Sequence, residues 1–444
     1  MTRTEKTEDS LIDIDGPSDF PDRYVLANEL HARPFEKLTP PEQASYYAML
    51  TGEGNKQTDL NHLKLLCDRF GVDFPAGDVS YFSADFGTFR LRWERHTEFT
   101  GYTFLRQGNF AEPFEEPPIN FVPKDWLKAL PGQRLVAVHL AILGMDSINE
   151  DVDGLHRWFV SNSLVTSAIT SQEAQIWTDL RIHSDGYGRI LVCNKGLNAW
   201  KAGRIVQRLF EIETYRNMAL LALPLARSIG PETATMDADL ARMTRLMTSV
   251  GDADAQHSDK ELLQELTSLS AKLENLSAST AYRFSASRAY YSLTKERVGD
   301  LSEQRVPGYQ RFGRFLDRRL APAMRTCESV NERLEDLSRR ANRATNLLRT
   351  RVDFALEAQN QKLLATMDKR SAVQLRMQET VEGLSVAAIS YYLVGLVNYI
   401  AKAAKAAELP IDTNIVVGVS IPIVIAIVWY SVRRVKKAIL SDVS

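Results

Sequence analysis

Cysteine is scarce in this chain. Three are present in 444 residues, Cys67, Cys193 and Cys327, far apart and without CxxC or any other metal-ligand spacing. So sparse and odd a set excludes a secreted disulfide framework and fits a reducing compartment. The seven histidines form no HxxxH or HExxH pair. Net charge is nearly absent too, at -2, so no global basic field points to nucleic acid as a partner. The first residues, MTRTEKTEDSLIDIDGPSDFPDR, hold no apolar run. That predicts no signal peptide, a disordered segment over 1–22 and a body that stays on the cytoplasmic side.

Phosphate loops and nucleophile sets are missing as well. Gly52-Glu53-Gly54-Asn55-Lys56 lacks the spacing and the hydroxyl residue of a P-loop, and Gly186-Tyr187-Gly188 reads as a hairpin turn. Asp252, Asp254, Gln256 and Asp259 suggest a cation loop. An EF-hand, however, needs Gly where His257 stands and Glu where Leu263 stands. No nucleophile–base constellation is evident, so the expectation is a protein that is not an enzyme, with no cofactor and no metal site.

Two long uncharged runs are present. GLSVAAISYYLVGLVNYIA covers 383–401 and TNIVVGVSIPIVIAIVWYSV covers 413–432. As helices, runs of this length span about 29–30 Å, the thickness of a bilayer core. The short link KAAKAAELPID allows only a tight hairpin. Arg433, Arg434, Lys436 and Lys437 follow the second run, against Lys402 and Lys405 in the link. The positive-inside rule then puts the basic tail, 433–444, in the cytoplasm, with Trp429 and Tyr430 in the inner aromatic belt. The first run carries Ser385, Ser390 and Asn398, polar groups that need partners or a water-filled cavity at bilayer depth. They are candidate pore or helix-interface residues. Gly395 would let a second copy approach closely, and a homo-oligomer is expected.

Upstream, apolar or small residues recur at Val330, Leu334, Leu337, Ala341, Ala344, Leu348, Val352, Leu356, Leu363 and Met367. Steps of three and four predict one stripe of a helix from about residue 324 into the first run. A second helix over 259–300 would pair with it, antiparallel, across a turn at 306–313. Together these make a stalk over 231–382. Amides such as Gln359, Gln374 and Gln378 read as solvated positions or as the lining of an oligomer axis. Residues 305–351 hold twelve Arg, no Lys and five acids. Arg351 lies about 48 Å along the helix from Gly383, so a solvated face paired with body acids is expected there, not lipid head groups.

The body, 23–230, reads as α/β or α+β. Alternation over 79–105 around Asp85-Phe86-Gly87 predicts a β-hairpin, RLVAVHLAIL at 134–143 a buried strand, and 175–183 with 188–194 a second hairpin. Helices are expected at 40–50, 59–70, 150–160 and 198–228. In Leu30-His31-Ala32-Arg33-Pro34-Phe35, His31 and Arg33 are candidates for an anion or partner contact. The alternative is a strap that docks Phe35 in the core.

ELHARPF at 29–35, ETYRNMALLALPLA at 213–226 and QETVEGLSVAAISYYLVGL at 378–396 together resemble a family of uncharacterised, membrane-anchored bacterial proteins. The resemblance implies an inner-membrane setting and no particular activity. A cytoplasmic α/β body, a long helix running into the membrane, a short outer link, a second span and a basic tail also resemble the layout of CorA-type magnesium transporters. That likeness implies a divalent cation as transported ion. Their Gly-Met-Asn signature is matched here only by Gly395-Leu396-Val397-Asn398, one residue longer and without Met.

Overall fold

A computed structural model of the chain describes residues 19–29, 34–52, 54–75, 77, 79–110, 112–144, 152–249, 255–406 and 412–441. The chain divides into two compact units, residues 1–245 with 266–342, and residues 246–265 with 343–444.

The first unit is built on one mixed sheet. After helix α1 (Arg23–Glu29) come β1 (Glu42–Leu50), helix α2 (Lys56–Phe70), β2 (Tyr81–Asp85), β3 (Arg90–Arg95) and β4 (Phe99–Gln107). A short helix α3 (Lys124–Lys128) precedes β5 (Gln133–Gly144). A one-turn helix α4 (Val152–Leu155), β6 (Val165–Ile169), β7 (Ala174–Thr178) and β8 (Gly188–Asn194) follow. The spatial order is β2-β3-β4-β1-β5-β8-β7-β6. Among the strands of this sheet β5 and β8 pair in parallel and the other neighbours antiparallel; the β6–β7 hairpin lies within the β5–β8 connection.

Residues 42–50 are thus a central strand, not the helix their composition suggests. β1 is buried along nearly its whole length, between β4 and β5. A strand covered on both faces shows no polar–apolar alternation. The expected 150–160 helix reduces to the turn of α4, and β6 joins the second hairpin as an extra strand. The first hairpin closes as read. Gly87 takes a positive φ of 85°, and its N–H donates to Asp85 Oδ1 at 2.8 Å.

Each sheet face carries a core. On one, Tyr46, Ala48, Val138, Leu140, Ile190 and Val192 pack under helix α5 (Ala199–Leu220). On the other, Tyr47, Leu91, Trp93, Tyr102 and Phe104 pack with Leu63 and Leu66 of α2 and Trp126 of α3. Asn198 caps α5, its side chain accepting from the N–H of Lys201 at 2.9 Å. Helix α6 (Ala222–Ser249) continues through residue 230 and carries Pro231 in its interior.

Helix α7 (Ala255–Asp300) and helix α8 (Phe312–Ala406) are the long pair. α8 starts where it does because two oxygens cap it. The N–H of Phe312 donates to Ser167 Oγ at 3.0 Å and that of Gly313 to Glu303 Oε2 at 2.9 Å. Within the first unit α7 and α8 run antiparallel. Phe284 meets Cys327, Ser338 reaches Glu274, and Val298 lies against Gly313. α6 packs on both through Ala222, Ala226 and Ile229, and Arg340 pairs with Asp237 of α6 at 2.8 Å.

The second unit holds the rest of α8 and helix α9 (Thr413–Ser441). Arg351 pairs there with Asp259 at 3.1 Å, and Leu348 is fully buried. Past that point the stripe loses its cover: every residue from Leu356 to Val381 is exposed, Leu363 and Met367 included.

Candidate functional site

Two helices are long and apolar enough to cross a membrane: α8, through its C-terminal part, and α9 over Thr413–Val435. The first run contains no proline. α9 carries Pro422, which removes one backbone donor and leaves the carbonyl of Gly418 without its helical partner. Side-chain exposure resolves the pair into a seam and an outer surface. Less exposed positions include Val386, Ser390, Val394, Gly395, Val397, Asn398 and Ala401 on α8, with Val416, Val417, Ser420, Val424 and Val428 on α9. Each set recurs at steps of three and four and so marks one face of its helix. Almost everything else faces outward, including Tyr391, Tyr392, Tyr399, Ile415, Ile423 and Ile427. At the far end Arg433 lies 4.9 Å from the centre of the Trp429 ring.

The polar residues of the first run separate on this surface. Ser390 is 6% exposed and lies on the seam, and its hydroxyl has no hydrogen-bond partner among the described residues. Ser385 faces outward and donates to the carbonyl of Val381 at 2.8 Å, one turn back. Gly395 and Asn398 are half-buried. A methyl group built on Gly395 would meet nothing within 4 Å, so no helix of the same chain approaches closely there.

His31 and Arg33 lie outside the described residues. The strap that follows them is described, and Phe35 is not in the core. It is 38% exposed and lies under Arg204 of α5, 5.0 Å from the guanidinium carbon. The strap runs directly over Gly203, where a Cβ would come within 1.6 Å of the Glu36 carbonyl oxygen. Glu36 accepts from Tyr81 and Ser83, and Arg90 binds Glu42.

One cluster in the sheet has the residue types of a catalytic pair. Ser45 and His139 are register partners on β1 and β5, with Oγ and Nδ1 3.0 Å apart. His139 stacks on Tyr187, ring centres 3.8 Å apart, and Tyr187 shares a hydroxyl contact with Tyr47. Burial pushes the imidazole down to about 3, against the pull of Asp185. Ser45 is 0% and His139 3% exposed, and Ser45 Oγ also accepts the N–H of Ile119 at 3.3 Å. A nucleophile needs access; this pair is a satisfied element of the core. Reading 42–50 as a helix hid it, because only strand pairing brings Ser45 beside His139. Among the described residues, no group of three or more His, Cys, Asp or Glu is placed to hold a metal ion.

A search of curated proteins gives no match. A family model does match, over residues 18–439, nearly the whole chain. Its reach from before α1 to near the end of α9 takes in the sheet, the long helices and the apolar pair together. The chain belongs to the family described as protein of unknown function, DUF3422.

Proposed function

We propose that this protein is anchored in a bacterial inner membrane by the α8–α9 hairpin and serves as an oligomeric, non-enzymatic scaffold or sensing body. Both termini lie on the cytoplasmic side. The observation that carries the reading is the exposure of the hairpin. Leu384, Tyr391, Tyr392, Leu396, Tyr399 and Ile400 on α8 are all at least 57% exposed, and α9 presents an equally apolar outer face. In water such a surface is a large uncovered apolar patch; in a bilayer it is solvated. The basic cluster after α9, against two lysines in the link, supports a cytoplasmic tail.

Self-association draws on the uncovered stretch of α8. Leu356, Leu363, Leu364, Met367, Val373 and Met377 are each 48–67% exposed, over a length where every described residue from Leu356 to Val381 is exposed. Isolated helices owe most of their stability to packing of an apolar face. The protein purified in detergent should therefore have the mass of a multimer, read by light scattering with the detergent subtracted. A monomer at micromolar concentration would remove the oligomer.

A second reading, a divalent-cation pathway with a CorA-like layout, is favoured by one feature. α8 continues without a break into the apolar window, and it carries half-buried Asn398 near its end. Hydrated Mg²⁺ gives up its water reluctantly, so polar rings at Asn398, Ser390 and Ser385 would suit it. Reconstituted vesicles should then take up Mg²⁺, with flux reduced by Asn398→Ala. No flux, or flux indifferent to that change, rejects this reading and leaves the anchor standing.

A further inference from the structure

A cleft in the first unit gathers arginines for which neither the core nor the hairpin has a use. Its cavity of about 330 Å³ is lined by Arg134 of β5, Arg181 and Arg189 at either end of the β7–β8 connection, and Arg216 of α5. A second hollow of about 250 Å³ shares Leu180, Arg181 and Arg216 with it and adds Arg319 of α8. Five arginines thus line two adjoining hollows.

Two of them are spoken for. Arg216 grips Glu213 through Nε at 3.0 Å and Nη2 at 2.5 Å, and Arg189 pairs with Asp185 at 2.9 Å. The other three have no carboxylate partner among the described residues. Arg134 lies over the rings of Tyr47 and Tyr187, Arg181 donates to Ser163 Oγ at 2.8 Å, and Arg319 lies against Phe315. The remaining acid, Asp179, lies at the wall of the second hollow but is buried, its oxygens taken up by neighbouring groups. It accepts the N–H of Val160 at 2.9 Å and of Arg181 at 3.1 Å, and lies 3.0 Å from His183. Five arginines therefore stand against three carboxylates, a surplus of two positive charges.

The backbone that presents Arg181 is unusual. Leu180 holds φ at 56°, a left-handed conformation that bulky residues avoid. Its N–H donates to Thr178 Oγ1 at 3.1 Å, and Asp179 fixes the next residue from below. The bend leaves Leu180 on the wall common to both hollows and Arg181 exposed beside it.

We propose that this cleft binds a small molecule carrying a phosphate or diphosphate group. Guanidinium forks match phosphate oxygens two at a time, and a multiply charged anion balances the surplus of two positive charges. The main cavity is of the size that holds a small ligand. The inference goes beyond the anchoring role and does not depend on it.

The test uses the full chain in detergent and inorganic pyrophosphate as the probe, by calorimetric titration and by thermal melting. Binding is expected with a rise in melting temperature beyond that given by sodium chloride at matched ionic strength. Arg134→Gln with Arg181→Gln, both at exposed positions, should weaken binding at least ten-fold while the circular dichroism spectrum stays unchanged. Arg319→Gln alone provides a second variant on the other hollow and should weaken it less. No response beyond the chloride control, equal binding by the double variant, or succinate binding as tightly as pyrophosphate would overturn the proposal.

Discussion

His139 shows how a single buried residue ties stability to pH. Desolvation dominates its environment; Asp185 attracts the charged form and Arg189 repels it, and the result is a group pushed down to about 3. Above the ordinary imidazole range the ring is neutral in both folded and unfolded chains and costs nothing. Below about 6.5 the unfolded chain takes up the proton and the folded one does not, so stability falls by up to about 1.4 kcal/mol per pH unit until the folded value is reached. His62, buried against Trp126, is pushed in the same direction. Melting followed from pH 7 to pH 4.5 should therefore fall steeply for the wild type and less steeply for His139→Gln. Identical slopes would show that His139 takes a proton in the folded state. Ser390 makes the residue-scale contrast within the hairpin. Its hydroxyl looked in the sequence like one that must be inside something, and it is on the seam. Ser385, judged by the same rule, faces outward and satisfies itself on its own helix. Composition marks which residues are polar; helical phase decides which of them are buried.

At the scale of elements, what could be read from the sequence followed the visibility of its periods. The stripe from Leu334 to Leu348 is buried as its three-and-four spacing implies, and α2, α7 and the Asp85–Gly87 hairpin fall close to where the pattern puts them, while the helix expected over 198–228 is divided at Leu221 into α5 and the start of α6. β1 escaped because EQASYYAML is buried on both faces and preceded by prolines, which gives it the look of a helix start. β6, five residues of small and β-branched type, was too short to register. The strap over α5 was legible as a strap but not in its docking. What fixes it is a glycine in the middle of a helix, a residue that otherwise only weakens one. Gly203→Ala would drive a methyl group into the Glu36 carbonyl and break the Leu38 N–H bond to Ala199, now 3.1 Å. The expected cost is about 1–3 kcal/mol, with faster proteolysis within 34–41, read by melting and limited digestion. An unchanged melting temperature would mean that the strap moves aside freely.

For the whole molecule, the account turns on one surface. A chain whose two apolar helical windows are covered by almost nothing of its own must cover them with something else. The body has no such need, since both faces of its sheet are already packed. The same contrast separates the two ends of α8. Up to Leu348 the chain supplies its own cover; from Leu356 to Val381 it supplies none, and the apolar window follows directly. The most direct test is to wash membranes from cells producing the full chain with alkaline carbonate and float them through a density gradient. The protein should float with the lipid, whereas a protein that stays at the bottom of the gradient or is released into the wash would contradict the membrane anchor.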